Sequence, residues 1–269
     1  MDGVLQLGPF MVAIDRLVAI VLLWIFVSAG SLIASRSSTR VGRVAWIAAG
    51  VGIAAARMAY VVQNWAAFAV EPWTIIALWQ GGFSFWPGIV AAVGVIVVML
   101  AREWRAGASL LAALVAVAAL QLAASSLTAP SPRPMPDGIV IADLNGRAVP
   151  LASLKGRPFV LNLWATWCPP CQRELPMFID VADTSDVPML LVNQGEDGAT
   201  VLAYLRRKGL ATASIRLDLR NALGQATRSQ AMPTTLFVDA SWRIQHAHPG
   251  EMSRAALLSA LRDLERNPS

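Results

Sequence analysis

Cys168 and Cys171 are the only cysteines of the chain, and they stand within Trp164-Ala-Thr-Trp-Cys-Pro-Pro-Cys171, separated by two prolines. A dithiol at this spacing can close into a disulfide and reopen by exchange with another thiol through a mixed disulfide. The run lies where an apolar, strand-like segment ends and a helix is predicted to begin. The first turn of a helix offers unpaired N–H groups and the positive end of the helix dipole. Both favour a thiolate, the nucleophilic form of cysteine. Cys168, just ahead of the helix, is the expected attacking thiol, and Cys171, one turn in, the buried resolving thiol. Pro170 suits an early helical position, where its missing N–H costs nothing. Trp167 and Pro169 complete the supporting motif.

Two plainer roles compete for the pair. A zinc site would need two further ligands, yet there is no other cysteine, and His246 and His248 lie far along the sequence in a predicted strand. Those histidines read as a solvated edge pair, so no metal is expected. A purely structural disulfide fits an oxidising compartment, but a bridge closing so short a loop removes little chain entropy. Redox activity is the reading carried forward.

The elements that must position the pair follow from the flanking pattern. Pro158–Trp164 is an apolar run suited to a central strand buried on both faces. Strands are also expected over Ile139–Leu144, Val187–Gln194 and Ser214–Asp218, with helices over Cys171–Asp180, Thr200–Lys208 and Asn221–Ser229. Thr234–Asp239 and Arg243–His248 read as a hairpin across Ala240-Ser241-Trp242. Ser253–Leu264 reads as an amphipathic closing helix capped by Ser253. Strands alternating with helices, then a hairpin and a last helix, describe an α/β thioredoxin-like sandwich.

The first half of the chain has a different texture. The protein is 56% hydrophobic and only 14% charged, against about 25% charged in ordinary soluble domains, so part of it belongs in lipid. About four transmembrane helices are expected, over Leu17–Ala34, Val44–Gln63, Phe83–Ala101 and Ala106–Leu127. Asn64–Gly81, with Trp65, Trp73, Trp79 and Pro72, suits an interfacial or re-entrant piece. The net charge of +5 gathers in short loops and not in one basic patch, which argues for membrane topology and against nucleic acid. Arg36, Arg40 and Arg43 in the first loop, and Arg102 and Arg105 in the third, place those loops in the cytoplasm. Both termini are then periplasmic, on a multi-pass protein of a bacterial inner membrane. A cleaved signal peptide is not expected. The expected division is a membrane domain over 1–127, a proline-rich linker over 128–137 and a periplasmic domain over 138–269; the linker's alternating prolines favour an extended spacer.

Both halves carry a family resemblance. Trp164–Cys171 followed by Gln172-Arg-Glu-Leu-Pro176, and later Ala231-Met-Pro-Thr-Thr-Leu-Phe-Val-Asp239, resemble the TlpA/ResA group of membrane-tethered thioredoxin-like proteins. The resemblance implies a cis Pro233 facing the disulfide, with the Met232 backbone positioning a substrate peptide. Thioredoxins carry an Asp in the central strand where this chain has Asn162, a departure that this group commonly shows. Resolution requires Cys171 to lose a proton in a partly apolar setting, so a nearby buried carboxyl would help. Glu174 and Glu196 are candidates, each with a solvated or helix-pairing role as its competitor.

Gly52-Ile-Ala-Ala-Ala-Arg57-Met-Ala-Tyr60, Pro72 and Trp79-Gln-Gly-Gly-Phe-Ser-Phe85 resemble the early part of prolipoprotein diacylglyceryl transferases. A charge inside a span is expensive and usually functional, so Arg57, with Tyr60, is a candidate for an anionic lipid headgroup, against structural pairing. The family's histidine after the Ser-Phe pair is replaced by Trp86, and its later helices do not follow, so this region reads as an inactive, repurposed anchor.

With both cysteines in the second half, the membrane domain cannot relay electrons by dithiol exchange. The resemblance implies a disulfide reductase for periplasmic protein thiols (apocytochrome c, copper-site proteins or others), recharged by a separate transmembrane thiol transporter and needing no cofactor. A periplasmic oxidase or isomerase, and a lipid-modifying enzyme, are the alternatives.

Overall fold

A computed structural model of the protein describes residues 4–7, 10–36, 39–78, 81–128, 131–229 and 231–266. Trp79 and Gln80 of the transferase-like motif, and Ala129 and Pro130 of the linker, lie outside them. The chain forms two compact units, Asp2–Ala129 and Pro130–Ser269.

The first unit begins with a hairpin, β1 (Val4–Leu7) and β2 (Phe10–Ala13), followed by helices α1 (Ile14–Arg36) and α2 (Thr39–Gln63). A short helix α3 (Trp65–Val70) and a 3-10 turn (Pro72–Ile76) precede α4 (Phe85–Met99) and α5 (Trp104–Thr128). Among the described residues three helices are long and apolar enough to cross a membrane, over Leu17–Arg36, Arg40–Gln63 and Trp104–Leu127. The third expected span is shorter than its apolar run suggests. At 15 residues α4 rises about 22 Å, less than the roughly 30 Å hydrocarbon core. The described part of the Asn64–Gly81 stretch contains the two short pieces α3 and the 3-10 turn, neither long enough to span.

These helices pack through small residues. Gly52 of α2 faces Gly88 of α4; a Cβ on Gly88 would lie 2.9 Å from the Gly52 carbonyl oxygen and 3.0 Å from the Ala56 Cβ. Such close backbone approach through small residues is the packing by which helices associate where hydrophobicity gives no drive. A shared core of Phe26, Val44, Ala48, Ile96, Leu110 and their neighbours joins α1, α2, α4 and α5. The outward faces carry Trp24, Leu32, Trp46, Val98 and Val115, all exposed. So large an apolar surface is stable against lipid tails and not against water.

The second unit is an eight-stranded mixed sheet in the order β3-β10-β9-β6-β7-β8-β4-β5. Its strands are β3 (Arg133–Pro134), β4 (Val140–Ala142), β5 (Ala148–Pro150), β6 (Phe159–Trp164), β7 (Met189–Gln194), β8 (Ile215–Asp218), β9 (Thr234–Val238) and β10 (Arg243–Pro249). Its helices are α6 (Pro169–Thr184), α7 (Gly198–Lys208), α8 (Ala222–Ala226) and α9 (Arg254–Arg266). Central β6 runs parallel to β7 and antiparallel to β9. All six residues of β6 are buried, and their alternation divides the core. Val160 and Trp164 point into the layer built by α6, α7 and α9. Phe159, Leu161 and Leu163 point into the opposite layer, with Met135, Leu151, Leu154 and Leu223.

Part of the segment expected as a free spacer belongs to this unit. Arg133 and Pro134 pair with Ile244 and Arg243, and the Met135 N–H donates to the Trp242 carbonyl at 2.9 Å. Met135 is buried. Proline-rich backbone is already extended, so it lies on a sheet edge with little adjustment.

Candidate functional site

Helix α6 begins at the end of β6 because Pro169 and Pro170 occupy its first two positions, where no N–H is needed. Cys168 is its N-cap, and the Cys168 sulfur accepts the Cys171 N–H at 3.3 Å. The two cysteines form a disulfide with a Cα–Cα separation of 5.3 Å. Cys168 is 3% exposed and Cys171 fully buried, while neighbouring Trp167 is 63% exposed. The bond therefore sits just beneath the surface, at the positive end of a 16-residue helix.

The Met232–Pro233 peptide is cis, and Met232 packs against the cluster that contains both cysteines. The cis form that the resemblance implied for Pro233 is thus present, beside the disulfide-bearing core.

Glu174 follows Cys171 by three residues and so shares its face of α6. It is 4% exposed, which sets aside the solvated role that competed for it. Its Oε1 accepts the Asn162 amide at 2.9 Å and its Oε2 the Met252 N–H at 2.9 Å. Burial dominates over these two bonds and pushes its pKa up to about 8, because desolvation disfavours the charged carboxylate. Asn162, on the α6 side of β6, also donates to the Thr235 hydroxyl at 3.1 Å, and its Oδ1 is buried without a hydrogen-bond partner. The position where thioredoxins carry Asp is thus an amide that bridges α6 and β9.

Glu196 does different work. Its Oε2 accepts the Thr166 N–H and the Asn193 amide, each at 2.7 Å, and its Oε1 accepts the Thr166 hydroxyl. Gln172 donates to the Thr166 carbonyl at 2.7 Å. Every polar group of Thr166 is therefore held, which fixes the backbone leading into Trp167 and Cys168. Glu196 is a clamp on that segment, and no hydrogen bond joins it to the Glu174 network.

Thr166, Gln172, Asn193 and Thr235 were not singled out in the sequence. Thr166 and Gln172 border the cysteine motif and Thr235 follows the proline turn, so proximity to the two motifs was the available signal. Met252 contributes only a backbone N–H, for which a sequence carries no mark. Among the described residues, His, Cys, Asp and Glu side chains form no group of three able to hold a metal ion.

In the membrane unit Arg57 is 5% exposed, and its guanidinium is committed to backbone. Nε donates to Ile75 O at 3.0 Å, Nη2 to Thr74 O at 2.6 Å, and Nη1 to Gly81 O and Gly82 O at 2.5 and 3.0 Å. The rings of Phe68 and Phe83 lie 5.3 and 5.8 Å from the guanidinium carbon. Arg57, the candidate for a headgroup, satisfies carbonyls of the stretch between α3 and α4. Tyr60 stands edge-on to Phe68 at 6.2 Å, and a Cβ on Gly82, whose φ is +82°, would strike its ring.

Comparison with known proteins divides the chain at the same place. The redoxin family profile matches residues 130–264, and the prolipoprotein diacylglyceryl transferase profile matches residues 4–126. Thiol-disulfide oxidoreductase ResA of Geobacillus thermodenitrificans is 31% identical over 129 residues, covering 47% of this chain and 74% of that protein. ResA of Bacillus subtilis is 27% identical over 121 residues, 44% of this chain and 67% of that one. The crystal structure of StoA from Bacillus subtilis aligns with 47% of this chain and 98% of its own, at 25% identity and a TM-score of 0.42.

Proposed function

We propose that this chain, which belongs to the redoxin family of thiol–disulfide oxidoreductases, is anchored in a bacterial inner membrane by residues 1–127 and reduces protein disulfides on the outer face through Cys168 and Cys171. The observation that carries this reading is the Cys168–Cys171 bond at the start of α6, with a buried carboxyl, Glu174, on the same helix face one turn further.

In the reducing direction the Cys168 thiolate attacks one sulfur of a substrate disulfide. A bond forms between Cys168 and that sulfur, and the other substrate sulfur leaves as a thiolate. Cys171 then gives its proton to Glu174 and attacks the Cys168 sulfur. The substrate's remaining sulfur leaves with its electron pair, and two electrons have passed from the dithiol to the substrate. Recharging runs the steps backwards: an incoming thiolate attacks Cys168, Cys171 departs, and protonated Glu174 supplies the proton to the departing sulfur. A carboxyl titrating near 8 can serve both directions around neutral pH, since proton carriers work best near the ambient pH. Met232 and Pro233 are read as the turn along which an extended substrate peptide docks, with Trp167, Pro169 and Pro170 shaping the approach and Asn162 and Glu196 holding the surrounding backbone and side chains.

The exposed apolar faces of α1, α2, α4 and α5 and the absence of further cysteines support a membrane part that anchors without relaying electrons. The reductant is then a separate transmembrane thiol carrier. The arginines of the first and third loops support periplasmic termini and a periplasmic redox domain over 138–269. The carbonyl bonds of Arg57 support an anchor that has lost transferase chemistry.

The test is a Cys171→Ser variant of the full chain, expressed in its membrane. Cys168 is expected to retain extracytoplasmic proteins as mixed disulfides, released by dithiothreitol and identifiable by mass spectrometry. In cells the wild-type pair is expected to be reduced and to react with a thiol reagent that cannot cross the inner membrane. Absence of adducts, or labelling from the cytosolic side alone, overturns the reading. A pair found oxidised, with restored disulfide formation in an oxidase-deficient strain, reverses the direction.

A further inference from the structure

Three consecutive residues between β10 and α9 each bond to a different part of the site. The Gly250 N–H donates to the carbonyl oxygen of Pro233 at 2.7 Å. Glu251 Oε2 accepts from Arg173 on α6, through Nε at 2.9 Å and Nη2 at 2.6 Å. The Met252 N–H donates to Glu174 at 2.9 Å. Gly250 has a φ of +94°, the left-handed turn that glycine takes without steric cost and that lets three neighbours face three ways. The Glu251 side chain is 21% exposed against 60% for Arg173, so the carboxylate end of this pair is the sheltered one.

An exposed ion pair contributes little to stability on its own, so its position calls for another account. We propose that Glu251 is a positioning residue for thiol–disulfide exchange: paired with Arg173, it holds the Gly250–Met252 loop so that the Met252 N–H stays on Glu174 and ties that carboxyl to the proline turn, a role that rests on Glu174 being the proton carrier for Cys171. The loop joins the surface where a peptide would lie to the group that takes up the proton. Arg173 is the outer anchor, and removing either partner frees the loop.

The charged groups around Glu174 are few. Arg173 comes from α6 and Glu251 from the loop. β6 and β9 contribute the neutral Asn162 and Thr235. His248 lies in register with Thr235 on β10, and Arg254 at the start of α9 is paired with Asp180 at 2.6 Å. The Met252 N–H bonds the Glu174 carboxylate directly and holds its pKa down, whereas Glu251 and Arg173 act on it through space with opposite signs. The two possible causes therefore separate experimentally. A pure field effect moves the titration of Glu174 in opposite directions when Glu251 or Arg173 is neutralised. Loss of the Met252 bond moves it upward in both.

The test uses the full chain in detergent micelles, with dithiothreitol reduction of the Cys168–Cys171 bond followed by tryptophan fluorescence across pH. Glu251→Gln and Arg173→Gln are both expected to raise the pH midpoint of the rate. Exchange of the Met252 amide should become about tenfold faster in each, the worth of one hydrogen bond. The swapped pair, Arg173→Glu with Glu251→Arg, is expected to restore both. Opposite midpoint shifts in the single variants, or an unchanged Met252 amide, overturn the proposal. Glu174→Gln separates this from the reading beneath it. If that variant keeps the wild-type midpoint, Glu174 is not the carrier; if it abolishes the midpoint while the pair variants leave it in place, only the role of Glu251 falls.

Discussion

Replacing Glu174 with Gln removes one ionisable group from the interior and should flatten a large part of the pH dependence of folding. The carboxyl titrates near 8 in the folded protein against an ordinary 4.5. At 1.36 kcal/mol per pH unit, that gap corresponds to about 5 kcal/mol. The sign follows from proton counting. Below 4.5 folded and unfolded chains both hold the proton, and stability does not depend on this group. Between 4.5 and about 8 the folded state keeps a proton that the unfolded chain has released, so stability falls as pH rises. Above that window the loss is complete. Gln can keep the Met252 bond through its amide oxygen, while its NH2 group faces the Asn162 amide, which must turn over so that its oxygen accepts; that rearrangement shifts the whole curve by an amount independent of pH. The assay is urea unfolding of the oxidised full chain in micelles, followed by exposure of the buried Cys168–Cys171 segment to proteolysis at a series of pH values. Other titrating groups contribute to both proteins and cancel in the difference. As pH rises the wild-type curve should fall relative to that of Glu174→Gln, by a change approaching about 5 kcal/mol. Parallel curves across the whole range would show that the carboxyl ionises at an ordinary pH, and the proton-carrier role would go with it.

Three further outcomes are expected. Glu196→Gln weakens the bonds to Thr166 and Asn193 and should cost about 1.5–3 kcal/mol, the range for hydrogen bonds to a charged group, read as a lower urea midpoint with the Glu174 titration unmoved. Gly88→Val drives a side chain into the Gly52 carbonyl and Ala56; the membrane unit should lose resistance to proteolysis in micelles while dithiothreitol reduction of the disulfide proceeds at the wild-type rate. Arg57→Ala removes the guanidinium from the carbonyls of Thr74, Ile75, Gly81 and Gly82, of which Thr74 keeps the Ala77 N–H, and should open that stretch to protease; Arg57→Lys should not restore it, because an ammonium cannot reproduce the guanidinium's planar fork of donors.

The redox unit was legible where chemistry and local pattern agree. An apolar run ending in Cys-Pro-Pro-Cys marks a buried strand followed by a helix start, and β6 and α6 are found there. The helix begins at Pro169, two residues before the predicted Cys171, because proline is at ease in a first turn. What was not legible depends on distant contacts. Glu174 sits between Arg173 and Leu175, a context that suits a solvated helix face as well as a core. It is buried because the loop bearing Met252, 78 residues later, closes over it. The Arg133–Pro134 strand was hidden for a related reason, since extended proline-rich chain looks the same free or paired until its partner β10 is known. In the first unit, hydropathy located the helices but could not show that Arg57, within the apolar α2, donates to carbonyls folded back from residues 17 to 25 positions away.

The sulfur that caps α6 also limits how hard this protein can pull. Whatever steadies the Cys168 thiolate, here the Cys171 N–H and the helix end, makes the open dithiol form more comfortable and hence less eager to give up its electrons. A firmer cap would enlarge the thiolate population while lowering the reactivity of each thiolate and the driving force behind its attack. The geometry at the start of the helix thus sets a compromise between haste and redox poise, and the protein thiols and disulfides this chain can serve are those whose own poise falls within it.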